Sequence, residues 1–415
     1  MQDSLIYDWN KVGETAKAPP HPIEFDDETL RDGLQSPSVA DPPIEAKVRI
    51  LHLMNALGID IADIGLPGAG PRAVADVERL AREMVEAKLK IRPGCAARTH
   101  RHDIQPIIEI SERVGIPIEA HTFIGSSPIR LYAEDWTLDH LLRTTEEAVT
   151  FAVEHGLPVM YVTEDTTRAD PETIRQLFTT AINCGAKRVC VCDTVGHATP
   201  DGVRALITYV REVVAATGEE VEIDWHGHCD RGLGVINAIT AAEAGAHRLH
   251  GAALAVGERV GNTQMDLLLV NLQLMGWIHR DLSRLREYCE AVSEACRVPI
   301  PHNYPVVGRD AFRTATGVHA AAIVKAYKKG DEELANSIYS GVPSHLFGLE
   351  QIIEIGPLSG RSNVIYWLEK RGIPASDELV DRIFDAAKKA QRIFTDEELF
   401  ALIGPATTAG KSRAN

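Results

Sequence analysis

This 415-residue sequence predicts an α/β fold: a (β/α)8 barrel followed by small, mostly helical C-terminal subdomains. Three observations carry that expectation. Eight apolar, β-branched-rich runs begin near Ile23, Ile59, Lys90, Pro117, Pro158, Arg188, Val221 and His247, at steps of roughly 26–41 residues. Amphipathic segments of helical period lie between them, which makes each step one strand–helix unit. No Gly-rich phosphate turn follows the first run, where an open doubly wound sheet would place one; Asp32-Gly33-Leu34-Gln35 stands there instead.

Taken in order, residues 1–22 form an N-terminal extension and residues 23–297 the barrel. Val48, Leu51 and Met54 recur at three-residue steps before Gly58, a helix stop. Gly156, Gly185 and Gly245 close three later helices in the same way. Pro299, Pro301 and Pro305 then mark a linker. Residues 298–405 are expected to hold a helical stretch near Val318–Lys328, a mixed region to Val364 and a helix from Asp377 to Phe394. Thr395-Asp396-Glu397-Glu398 reads as a capping box opening one more helix. The tail 406–415 is expected to be disordered.

With 45% hydrophobic and 25% charged residues, the composition is that of an ordinary globular protein. A net charge of −16 argues against nucleic acid as a partner, because a phosphate backbone needs a basic face. It leaves room for a small anionic substrate at a locally positive site. Seven cysteines without a CxxC do not make a disulfide framework. Neither a signal peptide nor an 18-residue apolar stretch is present, so no membrane span and a cytoplasmic location are expected.

The chemistry concentrates at the predicted C-terminal rim. His226 and His228 lie two apart on the seventh strand and face the same way. Asp32 ends the first strand, and Asn262 lies just beyond the eighth. A closed barrel makes these strands neighbours, so one carboxylate, two imidazoles and an amide oxygen meet around a divalent cation (Zn, Mn or Mg) that keeps open positions. Arg31, beside Asp32, is suited to stabilising an oxyanion. Polar groups also stand on otherwise apolar strands: His121 on the fourth, with Glu164-Asp165 ending the fifth and Asp193-Thr194 the sixth. Glu258, in Gly257-Glu258-Arg259-Val260-Gly261-Asn262, is a further candidate acid or base. Cys190, Cys192 and Cys229 read as packing residues.

Glu28-Thr29-Leu30-Arg31-Asp32-Gly33, His121-Thr122-Phe123-Ile124, Glu164-Asp165, Asp193-Thr194-Val195-Gly196, His226-Gly227-His228 and the Gly257–Asn262 segment together resemble the 2-isopropylmalate synthase and homocitrate synthase family. These are metal-dependent TIM-barrel acyltransferases. Thr316-Gly317-Val318-His319, Tyr339 and Gly356-Pro357-Leu358-Ser359-Gly360-Arg361 resemble the family's linker subdomains, so the likeness spans residues 23–365. It implies condensation of acetyl-CoA with a 2-oxo acid. It also implies metal binding at Asp32, His226, His228 and Asn262, and oxo-acid binding through Arg31 with His121, Arg130, Met160, Val162, Glu164 and Thr194. His319 and Tyr339 are implied as the groups that deprotonate acetyl-CoA, supplied within a homodimer by the partner subunit.

The departures narrow the expectation. Met160 stands where homocitrate synthases tend to carry an arginine, and Val162 replaces a serine, which favours an apolar oxo acid such as 2-oxoisovalerate over 2-oxoglutarate, with a homocitrate or citramalate synthase as the alternative. Arg130 replaces a histidine of isopropylmalate synthases. Arg31-Asp32-Gly33-Leu34-Gln35 is closer to hydroxymethylglutaryl-CoA lyases, which makes a carbon–carbon lyase the alternative. Those lyases carry a cysteine in the loop after the eighth strand, and Gly251–Asn262 has none. A non-catalytic acyl-CoA-binding barrel would not need Arg31, Asp32, Glu164, His319 and Tyr339 together. The leucine-binding C-terminal domain of many members is missing from the sequence, so leucine feedback through it is not expected.

Overall fold

In the computed structural model, residues 5–12 and 18–404 are described, so the expected disordered tail lies outside the described residues. The chain divides into two compact units: Asp8–Pro299, and Ile300–Asn415 together with Met1–Tyr7. The first is a closed barrel of eight parallel strands, β1 (Glu24–Asp27), β2 (Ile61–Asp63), β3 (Arg92–Arg98), β4 (Glu119–Gly125), β5 (Val159–Glu164), β6 (Arg188–Asp193), β7 (Glu222–Gly227) and β8 (Arg248–Gly251). Each begins within two residues of the run that predicted it. Closure is by β1 on β8, with Glu24 opposite Arg248 and Asp27 opposite Gly251.

Ten α-helices accompany the strands in this unit: α1 (Ile44–Ala56), α2 (Pro71–Glu86), α3 (Arg101–Val114), α4 (Pro128–Glu134), α5 (Leu138–Glu154), α6 (Pro171–Asn183), α7 (Pro200–Thr217), α8 (Gly234–Ala244), α9 (Met265–Leu274) and α10 (Leu285–Cys296). Their starts follow from local chemistry. Ser127, Asp170 and Thr199 each cap a helix whose first residue is proline, and their side-chain oxygens accept from the backbone of Arg130, Thr173 and Gly202.

The barrel interior is not the usual stack of branched aliphatics. The two-residue period of β1 turns Glu24, Asp26 and then Glu28 inward. There they meet Glu119, His121, Arg188, Asp224, Arg248 and His250. Arg248 is fully buried and donates to Asp224 and to Glu119, and Arg188 donates to Asp224 at 2.9 Å. Burial alone would raise the pKa of Asp224, but Arg248 and Arg188 hold it well below the usual carboxylate range. The network was not legible in the sequence because its partners lie on different strands, as with Arg248 and Glu119, 129 residues apart.

Asp27 faces the other way and meets the phenol of Tyr288 on α10. Burial pushes its pKa up to about 7, against the hydrogen bonds from Thr29 and Tyr288 that favour the anion. An unfolded aspartate ionises near 4, so the folded state holds the proton longer. The resulting stability is present in acid and is lost as pH rises from about 4 through about 7. Asp27→Asn is therefore expected to gain on the wild type across that window, by on the order of 4 kcal/mol at its upper end. Urea unfolding of both proteins at several pH values measures the gap. A gap independent of pH would show that Asp27 ionises normally.

The second unit holds α11 (Gly317–Lys328), α12 (Glu332–Ser337), α13 (Arg361–Lys370), α14 (Asp377–Lys389) and α15 (Asp396–Ile403), with a two-stranded sheet of β9 (Arg313–Thr314) and β10 (Ile352–Ile353). The Thr395–Glu398 capping box opens α15 as the sequence indicates. Two expectations are corrected. α13 emerges from the mixed region, and α14 ends at Lys389 instead of Phe394. The backbone N–H of Phe394 donates to Ile355 O at 2.9 Å, which turns the chain out of the helix.

Candidate active site

The candidate residues reach the rim through two turns. After β1, the carbonyl of Glu28 accepts from the N–H groups of Arg31 and Gly33, a tight turn that presents Arg31 and Asp32. His226 is the penultimate residue of β7, and His228 follows the strand's last residue, Gly227, bridged through its backbone to Asn262. The loop before Asn262 depends on glycine. A Cβ on Gly257, at φ 152°, would come within 2.3 Å of Asn262 Nδ2. Gly257→Ala is thus expected to displace that amide and weaken metal binding. Calorimetric titration of metal into both proteins tests this, and equal affinities would remove Asn262 from the ligand set.

Asp32, His226 and His228 converge. Their facing atoms are close: His226 Nε2 to His228 Nε2 is 3.3 Å, and Asp32 Oδ2 lies 3.5 Å from the first and 3.4 Å from the second. Two imidazole nitrogens facing each other at that distance are suited to sharing one cation. Asn262 Nδ2 donates to Val256 O at 3.0 Å, and its Oδ1 is buried with no hydrogen-bond partner. A buried amide oxygen left in that state is costly unless something else binds it. The four residues therefore fit a nitrogen- and oxygen-ligated divalent ion. Burial alone would raise the pKa of Asp32, but Arg31 and the contacts from His226 and His228 hold it well below the carboxylate range.

Beside this cluster is a cavity of about 270 Å³. Arg31, Asp32, His226 and His228 line it, as do His121, Glu164, Thr194 and Glu258. Arg31 is held by Glu28 and by Asp63, its Nε 2.8 Å from Asp63 Oδ2. His121 lies 3.0 Å from Glu119 Oε1 and 3.4 Å from Asp63 Oδ2. Burial disfavours its charge, yet these carboxylates raise its pKa to about 10, so it adds a second cation to the pocket. Gly94 makes room for it, since a Cβ there would meet the ring at 2.3 Å.

Part of the wall is soft and apolar: Met160, Val162, Cys190 and Cys192 pack as one cluster. The two cysteines are thus pocket residues as well as packing residues, a role the sequence reading passed over. Their signal was there, two residues apart on one strand face. Cys229 turns away and donates to Asn262 O. Asp165 pairs with Arg168, and Asp193 accepts from the backbone of His197 and Ala198, so both build loops.

Arg130 is not brought into the pocket. It lines a neighbouring cavity of about 790 Å³, pairs with Glu134 at 3.0 Å and lies over the ring of Trp136. Helix α4 carries it there, one turn beyond the strand end. His319 and Tyr339 are in the second unit, both exposed, their rings stacked with centroids 4.0 Å apart.

Residues 22–292 match the HMGL-like family model. The chain belongs to this family. The homocitrate synthase AksA of Methanopyrus kandleri is 31% identical, the match covering 87% of this chain and 86% of that protein. A probable 2-isopropylmalate synthase of Ignicoccus hospitalis is 30% identical over 93% and 92%. The (R)-citramalate synthase CimA of Methanocaldococcus jannaschii is 29% identical over 93% and 75%. These relatives are synthases, and this HMGL-like chain is an enzyme of that kind. Among solved structures, the HMG-CoA lyase of Brucella melitensis superposes with a TM-score of 0.55 at 18% identity, covering 67% of this chain and 99% of that one, a likeness of fold. Among the described residues, no helix is long and apolar enough to cross a membrane.

Proposed function

We propose that this enzyme condenses acetyl-CoA with an apolar 2-oxo acid, of the size of 2-oxoisovalerate, and releases CoA. The observation that carries the reading is the pocket's polarity. Arg31 and the Asp32–His226–His228 cluster line it together with an apolar patch of Met160, Val162, Cys190 and Cys192. An oxo acid laid across it would put its carboxylate and ketone at the charged end and its side chain against the soft wall.

Asp32, His226, His228 and Asn262 Oδ1 would hold the divalent ion, which when bound polarises a chelated ketone. Arg31, fixed by Glu28 and Asp63, neutralises the charge that grows on the ketone oxygen. His319, steadied by its stack on Tyr339, is the base for the acetyl methyl, supplied by a second copy in a homodimer. Glu258 and Thr194, on the pocket wall, are placed to orient the thioester. The adjacent cavity carries Arg98, Arg101, Arg130 and Arg143 in a chain of net charge −16, which supports it as the seat of the CoA phosphates.

One buried cation, Arg248, lies against the apolar patch, its Nη1 without a hydrogen-bond partner. Arg248, behind Met160, contacts its Sδ at 3.0 Å, but Asp224 and Glu119 take up its charge. A distal carboxylate there would have to share Arg248 with the two carboxylates that already hold it, at a desolvation cost. Thiol release from acetyl-CoA against a panel of 2-oxo acids tests the reading. Release is expected with 2-oxoisovalerate and not without an oxo acid, with kcat/KM for 2-oxoglutarate lower by roughly 10–100-fold. A preference for 2-oxoglutarate that Arg130→Ala abolishes would replace the apolar assignment. Cleavage of a hydroxyacyl-CoA with no condensation would make the enzyme a lyase.

A further inference from the structure

One buried carboxylate touches both halves of the charged end. Glu28 follows β1 and is 1% exposed. Its backbone is pinned on both sides: its N–H donates to Gly251 O at 2.8 Å, and its carbonyl closes the turn that presents Arg31 and Asp32. Its side chain divides its two oxygens. Oε2 accepts from Arg31 Nη2. Oε1 lies 3.3 Å from His226 Nδ1 and 2.9 Å from His250 Nδ1. His250 is itself fixed from behind, its Nε2 3.1 Å from Asp224 Oδ2.

We propose that Glu28 is a positioning residue that couples oxo-acid binding to metal binding, one carboxylate oxygen holding Arg31 and the other holding His226. The proposal rests on the functional reading above for the role of Arg31. The chemistry is specific about His226. A carboxylate accepts at Nδ1 only if that nitrogen carries the proton, which leaves the Nε2 lone pair facing Asp32 Oδ2 and His228 Nε2. An amide at position 28 keeps the shape but has one acceptor and one donor. It can serve Arg31 or His226, and it presents an N–H to the other. Asp63 offers the contrast, because it holds Arg31 at 2.8 Å and is not among the groups around His226.

The same atoms admit a competing role. Glu28, His226 and His250 lie close enough to hold an ion themselves. Metal titration decides between the two. Metal-free wild type, Glu28→Gln and Asp63→Asn would each be titrated with Zn²⁺ or Mn²⁺ by calorimetry, and the oxo-acid KM measured for each. One ion per wild-type chain is expected. Glu28→Gln should bind it roughly 10–100-fold more weakly and also raise the oxo-acid KM. Asp63→Asn should raise the KM and leave metal affinity unchanged.

A second measurement needs no variant. Long-range ¹H–¹⁵N spectra of histidine-labelled, metal-loaded wild type should show His226 metallated at Nε2 and protonated at Nδ1. Unchanged metal affinity in Glu28→Gln, metallation at Nδ1, or two ions per wild-type chain would each overturn the proposal. The titration and the spectra do not depend on turnover. A wild type that condenses nothing would therefore sink the functional reading while leaving the result for His226 readable.

Discussion

His226→Ala is expected to lose metal and activity together. The variant removes one of two imidazoles whose Nε2 atoms face each other at 3.3 Å, and with it one of the two contacts to Asp32 Oδ2. Three donors would remain, Asp32, His228 and Asn262 Oδ1, around a space enlarged by the missing ring. Glu28 and Arg31 would then pair without the imidazole between Glu28 and Asp32, so the electrophile end would lose both its ion and its alignment. Orientation and Lewis-acid activation each supply several kcal/mol in such sites, so kcat should fall by on the order of 10⁴ or more. Metal analysis of the purified variant and the thiol-release assay read the two losses. A His226→Ala protein with wild-type metal content and turnover would rule out the proposed centre. Full metal content with no turnover would leave His226 a substrate-orienting group.

How much of this was legible in sequence depends on periodicity. The eight strands were, because each apolar run is bounded by turn residues and separated by a helical period. The convergence of Asp32, His226 and His228 was, because strand order in a closed barrel makes distant positions neighbours. The interior charges were harder. Asp224 and His226 share one face of β7, and Arg248 and His250 one face of β8, so period two would have grouped them. What sequence lacks is the partner: Arg248 reaches Glu119, 129 residues away, and a salt bridge of that span has no local signature. Arg130 shows the reverse case. The family resemblance put it with the oxo-acid residues in place of a histidine, but Ser127-Pro128 starts a helix there, and the arginine lines the next cavity. The end of α14 was missed for a similar reason, since Lys388 to Arg392 contains no helix breaker and the stop comes from a backbone bond to Ile355.

The largest effect beyond the metal ligands is expected at His319. Its ring stacks on Tyr339 at 4.0 Å, and both are exposed within their unit, where a buried structural histidine would have been enclosed. On the proposed reading His319 is the base for the acetyl methyl and Arg31 and the metal centre hold the oxo acid, so His319→Ala should lower kcat by roughly 10²–10⁴ with little change in oxo-acid binding. The shared-site reading adds a consequence that a base within one chain would not have. Asp32→Ala and His319→Ala should each be inactive as homodimers. Mixed and allowed to exchange, half of the dimers carry one of each chain, and in those one site has an intact Asp32 and the other copy's His319. Activity should then return to about a quarter of the wild type at equal mixing, as the statistics of random dimer assembly require. Size-exclusion chromatography of the mixture, with the chains differently tagged, verifies exchange. Exchanged heterodimers with no recovered activity would place His319 and Asp32 of the same chain in one site, and a normal kcat in His319→Ala would remove the base assignment altogether.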